Sequence, residues 1–251
     1  MNISNTILLS PLIIVLHSLA LADQLPWTQF APGTNELDIV LHFLPENPVI
    51  LEAGARNGED TLTIASRWPK ATIYAFEPHP VSFKKLSENT QNIPSIKIYE
   101  LGLAPQSGPA TFYMCPTNLG ASSFLPDAHI PLSGAQIANY HDTPVEVTCI
   151  NLDEWATNEK VEAIDYMWLD MEGFEYQVLN SAPHILSTVK AISCELNFRE
   201  FRKGMTQCQT LKTFLESQGF VLYKICGIPI WNRPVWQATG IFIRKTLLIN
   251  A

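Results

Sequence analysis

The chain has 251 residues, of which 47% are hydrophobic and 16% charged, and its formal net charge is −8. This is enough apolar chain for one sizeable α/β domain, and it describes a globular protein and not a disordered one. An acidic balance with no Lys/Arg run longer than a pair speaks against binding along a nucleic-acid backbone, so no nucleic-acid partner is expected.

The stretch "ILLSPLIIVLHSLALA", residues 7–22, carries no formal charge and ends in a small-x-small site, Ala20-Leu21-Ala22. It reads as a secretory signal peptide. It is short for a span of about 20 residues, and Lys and Arg are absent before it. A short membrane anchor is the competing reading, and an atypical apolar extension the bland one. Residues 1–22 are therefore set apart as signal or anchor, and 23–251 form the expected domain, with its core at 48–198. The matching location is the secretory pathway, or membrane association through residues 7–22. It is cytoplasmic if the segment is not a signal.

"GTNELDIVLHFL" has helical spacing, with Thr34 as its candidate N-cap. "PVILEAG" is a continuous apolar strand of the kind buried in a parallel sheet. "NGEDTLTIASRW" reads as a helix capped by Asn57, with Glu59 and Asp60 suiting its positive first turn. "ATIYAFEP", "PVSFKKLSENTQN" and "SIKIYELGL" continue as strand, helix and strand. Such alternation implies a parallel sheet with right-handed crossovers. "ATFYM" and "PVEVTCINL" are additional strands, separated by a long loop, 115–144, of the kind that often forms a lid or binding loop. "IDYMWLD", the helix "GFEYQVLNSAPHIL" and the strand "VKAISCELN" follow. "TQCQTLKTFLESQGF" is an amphipathic helix ending at Gly219, and "VLYKI" and "ATGIFIRK" close the chain as an antiparallel pair. The five cysteines (115, 149, 194, 208, 226) have no C-x-x-C spacing. They read as reduced thiols and exclude a zinc site of that type.

In an open parallel sheet, ligands sit beyond the carboxyl ends of the strands. The polar residues ending these strands are Glu52 with Gly54, Glu77, Glu100 with Gly102, Asp170 with Glu172, and Glu195 with Asn197. One strand-terminal acid is usually only solvated, but five together point to a shared site. Gly54 and Gly58 let the backbone approach a ligand. The dinucleotide fingerprint G-x-G-x-x-G fails, because Arg56 and Glu59 stand at its later positions. The helix start at Asn57 still offers free N–H groups, and Glu77 can accept from both hydroxyls of a ribose. A cofactor with a ribose and no pyrophosphate fits better than NAD. S-adenosylmethionine is one, and its cationic sulfonium and ammonium suit acids such as Glu52.

The blocks "VILEAGARNGEDTLTIA", "YAFEPHPVSFKKLSEN", "GLAPQSGPATFY", "NLGASSF", "VTCINLDEW" and "YMWLDMEGFEYQVLNSA" occur in the order found in the FkbM-like methyltransferases, which the chain resembles over about residues 48–198. The resemblance implies a Rossmann-like class I methyltransferase fold. That fold is a mostly parallel seven-stranded sheet with an antiparallel C-terminal strand and helices on both faces. It also implies an S-adenosylmethionine-dependent O-methyltransferase acting on a hydroxyl of a sugar, glycolipid or natural product. Gly54 and Gly58 would then face the methionine part of the cofactor, Glu77 its ribose, Ser122 and Ser123 the pocket wall, and Asp170 and Glu172 the methyl donor. Three departures stand out: Glu52 for the usual Asp, Trp168 for a Lys, and Arg56 in the turn.

The expected cofactor set is Glu52, Gly54, Arg56, Asn57, Gly58, Glu77, Pro78, Gly102, Ser122, Ser123 and Asp170. A base for the hydroxyl proton would come from Asp170, Glu172 or Glu195, with His79, His129 and His141 as weaker candidates. A hard cation held by Asp170 with Glu172 or Glu195 is the competing reading of these acids; a flanking sulfonium explains them without a metal, so no metal ligands are assigned. A NAD-type oxidoreductase and a non-catalytic protein retaining the fold are the alternatives. In the second, "CGIPIWNRPVW" would be a partner surface.

Overall fold

Apolar runs bounded by proline and glycine form the strands, and the segments between them form the helices. The computed structural model describes residues 35–128, 142–226 and 237–249, all within one compact unit, Asn35–Ala251. In chain order the elements are α1 (Glu36–Leu41), β1 (Val49–Ala53), α2 (Glu59–Arg67), β2 (Thr72–Phe76), α3 (Pro80–Thr90), β3 (Ile96–Tyr99), β4 (Gly102–Leu103) and β5 (Gly108–Met114). They continue with a 3-10 turn (Leu119–Ala121), β6 (Thr143–Ile150), α4 (Leu152–Glu159), β7 (Tyr166–Leu169), α5 (Glu175–Asn180), α6 (Pro183–Thr188), β8 (Ala191–Asn197), α7 (Cys208–Ser217), β9 (Phe220–Cys226), β10 (Gln237–Arg244) and α8 (Lys245–Leu248).

Seven strands form the main sheet in the order β3-β2-β1-β7-β8-β10-β9. Counting only this sheet's strands along the chain, the order is 3-2-1-4-5-7-6. The strands from β3 to β8 pair in parallel, and β10 runs antiparallel to both β8 and β9. This is the mostly parallel seven-stranded sheet with an antiparallel C-terminal strand that the sequence leads one to expect. The order reverses between β1 and β7, and the crevice at that switch point is where such sheets place ligands.

Side-chain alternation sends each strand's residues to two helical layers. Leu51, Met167, Leu169, Ile192 and Leu196 pack with Trp155 of α4, Leu179 of α5, Ile185 of α6 and Leu211 of α7. On the opposite face Ala75 packs with Ala55 and with Leu86 of α3. There Trp68, after α2, meets Tyr166 with ring centroids 6.0 Å apart. Trp155 stands edge-on to Tyr74 and Phe76, at 4.9 and 5.0 Å.

Several local expectations change. The strand expected over 95–103 divides, because the chain leaves the main sheet after Tyr99 and re-pairs at Gly102–Leu103 with β6 in a second sheet, β4-β6-β5. The helix expected over 173–186 breaks at Ala182, where Pro183 starts α6, since a residue before proline is pushed away from helical backbone. Asn57 does not cap α2; the cap is Gly58 at φ +88°, and Asn57 Nδ2 donates to Glu59 Oε1 at 2.9 Å. Asn35 caps α1 by accepting from Leu37 N at 2.8 Å, and Thr34 lies outside the described residues. All five cysteines are free.

The secretory or membrane-associated location is corrected. Among the described residues no helix is long and apolar enough to cross a membrane, and residues 7–22, on which that expectation rested, lie outside the described residues.

The end of β1 carries the tightest steric demand. Gly54 has φ +89°, and a Cβ there would lie 1.9 Å from the Asp170 carbonyl oxygen. Neither neighbour can yield, because both are backbone at strand ends. Gly54→Ala is therefore expected to lower unfolding free energy by at least about 2 kcal/mol. Chemical denaturation checks this, and an unchanged midpoint would contradict the packing described.

Candidate functional site

A cavity of about 280 Å³ opens at the carboxyl ends of β1, β2 and β7. Its floor is the turn after β1. Gly54 N and Ala55 N both donate to the Phe76 carbonyl at 3.0 Å, which ties the turn to the end of β2. Arg56 follows with φ +51°, and this backbone aims its N–H at Glu77 Oε2, 2.7 Å away. Glu77 Oε1 accepts from His79 N at 2.8 Å. Each oxygen of Glu77 thus has one backbone donor and retains acceptor capacity for a ligand. Burial pushes the Glu77 pKa up to about 7, against the pull of those two amides.

The second wall is the turn after β7. Glu172 and Gly173 both have positive φ, +53° and +93°. Glu175 holds this turn: its Oε1 accepts from Met171 N at 3.0 Å and Gly173 N at 3.4 Å. The result brings Asp170 and Glu172 to the cavity and places Glu195 beside them. One oxygen from each of these three acids lies within 4.8 Å of the others. Burial, and then their mutual repulsion, raises the pKa of Glu172 and Glu195. Asp170 is raised by burial and then by Asp60, with Arg56 opposing. Strained backbone at Arg56 and Glu172 is what a site fixed by its surroundings carries.

The third wall comes from the second sheet and the chain beyond it. Gly102, Phe112, Asn118, Gly120, Ser122 and Phe124 line the cavity. A Cβ on Gly102 would lie 2.3 Å from Phe124 Cζ, and one on Gly120 would lie 3.3 Å from the Arg56 guanidinium. Buried Arg202 anchors this wall: it donates to the carbonyls of Leu125, at 2.6 Å, and Ala121, and pairs with Asp142 at 3.2 Å. The described part of the 115–144 loop is thus a cavity wall.

Of the residues expected at the site, Gly54, Arg56, Asn57, Glu77, Pro78, Gly102, Ser122, Asp170 and Glu172 line the cavity. Four do not. Glu52 lies beneath the turn, 1% exposed, with its carboxyl buried close to the Thr61 hydroxyl. Gly58 serves packing, since a Cβ there would meet Leu86 Cδ1 at 2.9 Å. Ser123 is buried and accepts from Leu125 N while donating to Glu172 O at 3.3 Å, so it braces the β7 turn. Glu195 sits behind Asp170 and Glu172. The steric reason for Gly54 is likewise the Asp170 carbonyl. Glu100 is exposed and takes no part. His79 is the N-cap of α3, with Nδ1 accepting from Ser82 N at 3.3 Å and Nε2 against Met114 Sδ at 2.7 Å, which leaves no ring nitrogen free to act as a base. His129, His141 and most of "CGIPIWNRPVW" lie outside the described residues.

Trp168 stands in register beside Glu52, where a lysine would have faced that acid. Burial, with Asp60, Asp170 and Glu77 adding to it, raises the Glu52 pKa to about 8, and the Thr61 hydroxyl only partly opposes this.

The Methyltransferase FkbM domain family matches residues 52–222. The chain is 27% identical over 180 residues to the 2-O-methyltransferase NoeI of Sinorhizobium fredii, covering 68% of this chain and 72% of that one. It is 24% identical over 170 residues to the hexuronic acid methyltransferase AglP of Haloferax volcanii, covering 67% and 64%. Among solved structures, methyltransferase FkbM from Methylobacillus flagellatus aligns with a TM-score of 0.49 at 12% identity, over 82% of this chain and 50% of that one.

The folded-state pKa of Glu52 lies above its usual value of 4.5. Its contribution to stability is complete below about pH 4.5 and is lost as the pH rises through 8. Glu52→Gln should accordingly gain stability over the wild type progressively from pH 5 to pH 8.5, with the smallest difference at pH 5. Melting temperatures across that range test this, and a pH-independent difference would contradict it.

Proposed function

The chain belongs to the Methyltransferase FkbM domain family and is a methyltransferase; we propose that it transfers a methyl group from S-adenosylmethionine to a hydroxyl of a sugar, glycolipid or related natural product. The observation that carries this reading is Glu77, buried at the end of β2 and held by two backbone amides with acceptor capacity left in the cavity. A ribose diol supplies the two donors such a carboxylate lacks. Arg56 and Asn57 would lie along the amino-acid end of the cofactor, and Gly102, Pro78 and Ser122 around its nucleoside. When bound, S-adenosylmethionine supplies an electrophilic methyl group on a cationic sulfonium.

Asp170 and Glu172 occupy the end of the cavity reached from β7, and Glu195 stands behind them. We assign to this group the orientation of the acceptor and the uptake of its hydroxyl proton. A carboxyl whose pKa is lifted by burial is a stronger base than a solvated one, and base strength near the working pH favours proton transfer. The burial that lifts these acids also excludes water from the reacting oxygen. An oxygen acceptor is supported by NoeI, whose name specifies 2-O-methyl transfer, and a sugar acceptor by AglP, whose name specifies a hexuronic acid. No observation favours a non-catalytic role.

S-adenosylmethionine with a labelled methyl group, offered with a panel of uronic acids, neutral sugars and hydroxylated natural products, tests the reading. Label should appear in a methyl ether, which survives mild base, and not in an ester. Glu172→Gln should lower kcat by about 100-fold with little change in the KM for the methyl donor. Transfer only to carboxylate or nitrogen would contradict the assignment.

A further inference from the structure

The three-acid group at the ends of β7 and β8 shares its sheet face with Asn197. Asn197 lies two residues after Glu195 on β8, so both side chains leave the same face of the sheet. Asn197 is directly opposite Gln237 in the antiparallel pair of β8 and β10, and opposed residues share a face. Gln237 Nε2 reaches Glu172 Oε2 at 3.5 Å, which shows that this face turns toward the acids. Asn197 is 1% exposed, and neither its Oδ1 nor its Nδ2 has a hydrogen-bond partner; Glu195 Oε2 is likewise buried and unpartnered. A buried amide left without partners costs about 1–3 kcal/mol, so its place on the sheet face that carries Glu195 and turns toward Glu172 calls for a ligand that takes oxygen donors.

From this geometry we infer that Asp170, Glu172, Glu195 and the amide oxygen of Asn197 form a binding site for one hard divalent cation. Such ions take carboxylate and amide oxygens. Opposite ligands lie about 4.6–5.2 Å apart around calcium and about 4.0–4.2 Å apart around magnesium, and the carboxylate oxygens here lie within 4.8 Å of one another. A divalent ion would neutralise most of the charge that these acids force on each other. Its position beside the cavity would let it polarise an acceptor hydroxyl as a Lewis acid. That role in transfer rests on the function proposed above, whereas the cation site itself stands on the side-chain cluster.

Electron paramagnetic resonance titration of the full chain with manganese(II) tests the site. One bound ion is expected. Glu195→Gln should weaken its binding at least tenfold. Asn197→Leu should raise the melting temperature of the metal-free chain, because it removes a buried amide without partners, and yet weaken manganese binding; a purely structural asparagine would not show that split. Circular dichroism confirms folding of each variant. No bound manganese up to about 1 mM, the weak end of carboxylate sites, would overturn the inference. Equal affinity in wild type and Glu195→Gln would overturn it too. Manganese bound by a chain that fails to bind S-adenosylhomocysteine would support the cation site and count against the cofactor assignment alone.

Discussion

The site depends on one close approach: the left-handed turn after β1 pressed against the Asp170 carbonyl at the end of β7. Gly54 has no room for a Cβ, so the exits of two neighbouring strands are locked at backbone distance. The same turn is bound to β2 through the Phe76 carbonyl. Three strand ends therefore move as one body, and the side chains they carry inherit that rigidity. Arg56 is bent into a positive φ so that its N–H holds Glu77. Across the cavity, Glu175 closes the β7 turn that presents Glu172.

Electrostatics explains why the fold tolerates this arrangement at a cost. Glu52, Glu77, Asp170, Glu172, Glu175 and Glu195 all have raised pKa values, with burial as the largest cause of each. With no cation beside them, these groups work against folding near neutral pH. A cationic ligand reverses the sign of that contribution, because its charge favours the ionised acids. Stability is thus traded for a site that gains free energy when it is filled.

Much of the frame was legible in the sequence. The apolar runs, the alternation of strand and helix, and the glycines of the first turn mark the parallel sheet and its ligand edge, and Glu77 follows from its place at a strand end. What was not legible depends on contacts between distant segments. The reason for Gly54 is a carbonyl over a hundred residues away, which nothing in the local sequence announces. Ser123 sits in a serine pair that suggests pocket lining, yet it braces Glu172. Arg202 is a buried arginine in irregular chain, and nothing local announces its bonds to the carbonyls of Ala121 and Leu125. Asn197 is legible as a strand-end residue, but the face it shares with the acids depends on β10, which sets Gln237 opposite it. The break at Pro183, by contrast, was written in the sequence as a proline rule and outweighed by helical periodicity.

The central claim is that the cavity at the ends of β1, β2 and β7 holds S-adenosylmethionine through Glu77. The most direct measurement is calorimetric titration of the full chain with S-adenosylhomocysteine, in the wild type and in Glu77→Ala. The account predicts saturable one-to-one binding that weakens by about 1–3 kcal/mol in the variant, with no binding of NAD by either. A folded wild-type chain that releases no heat, or a variant that binds as well as the wild type, would contradict it.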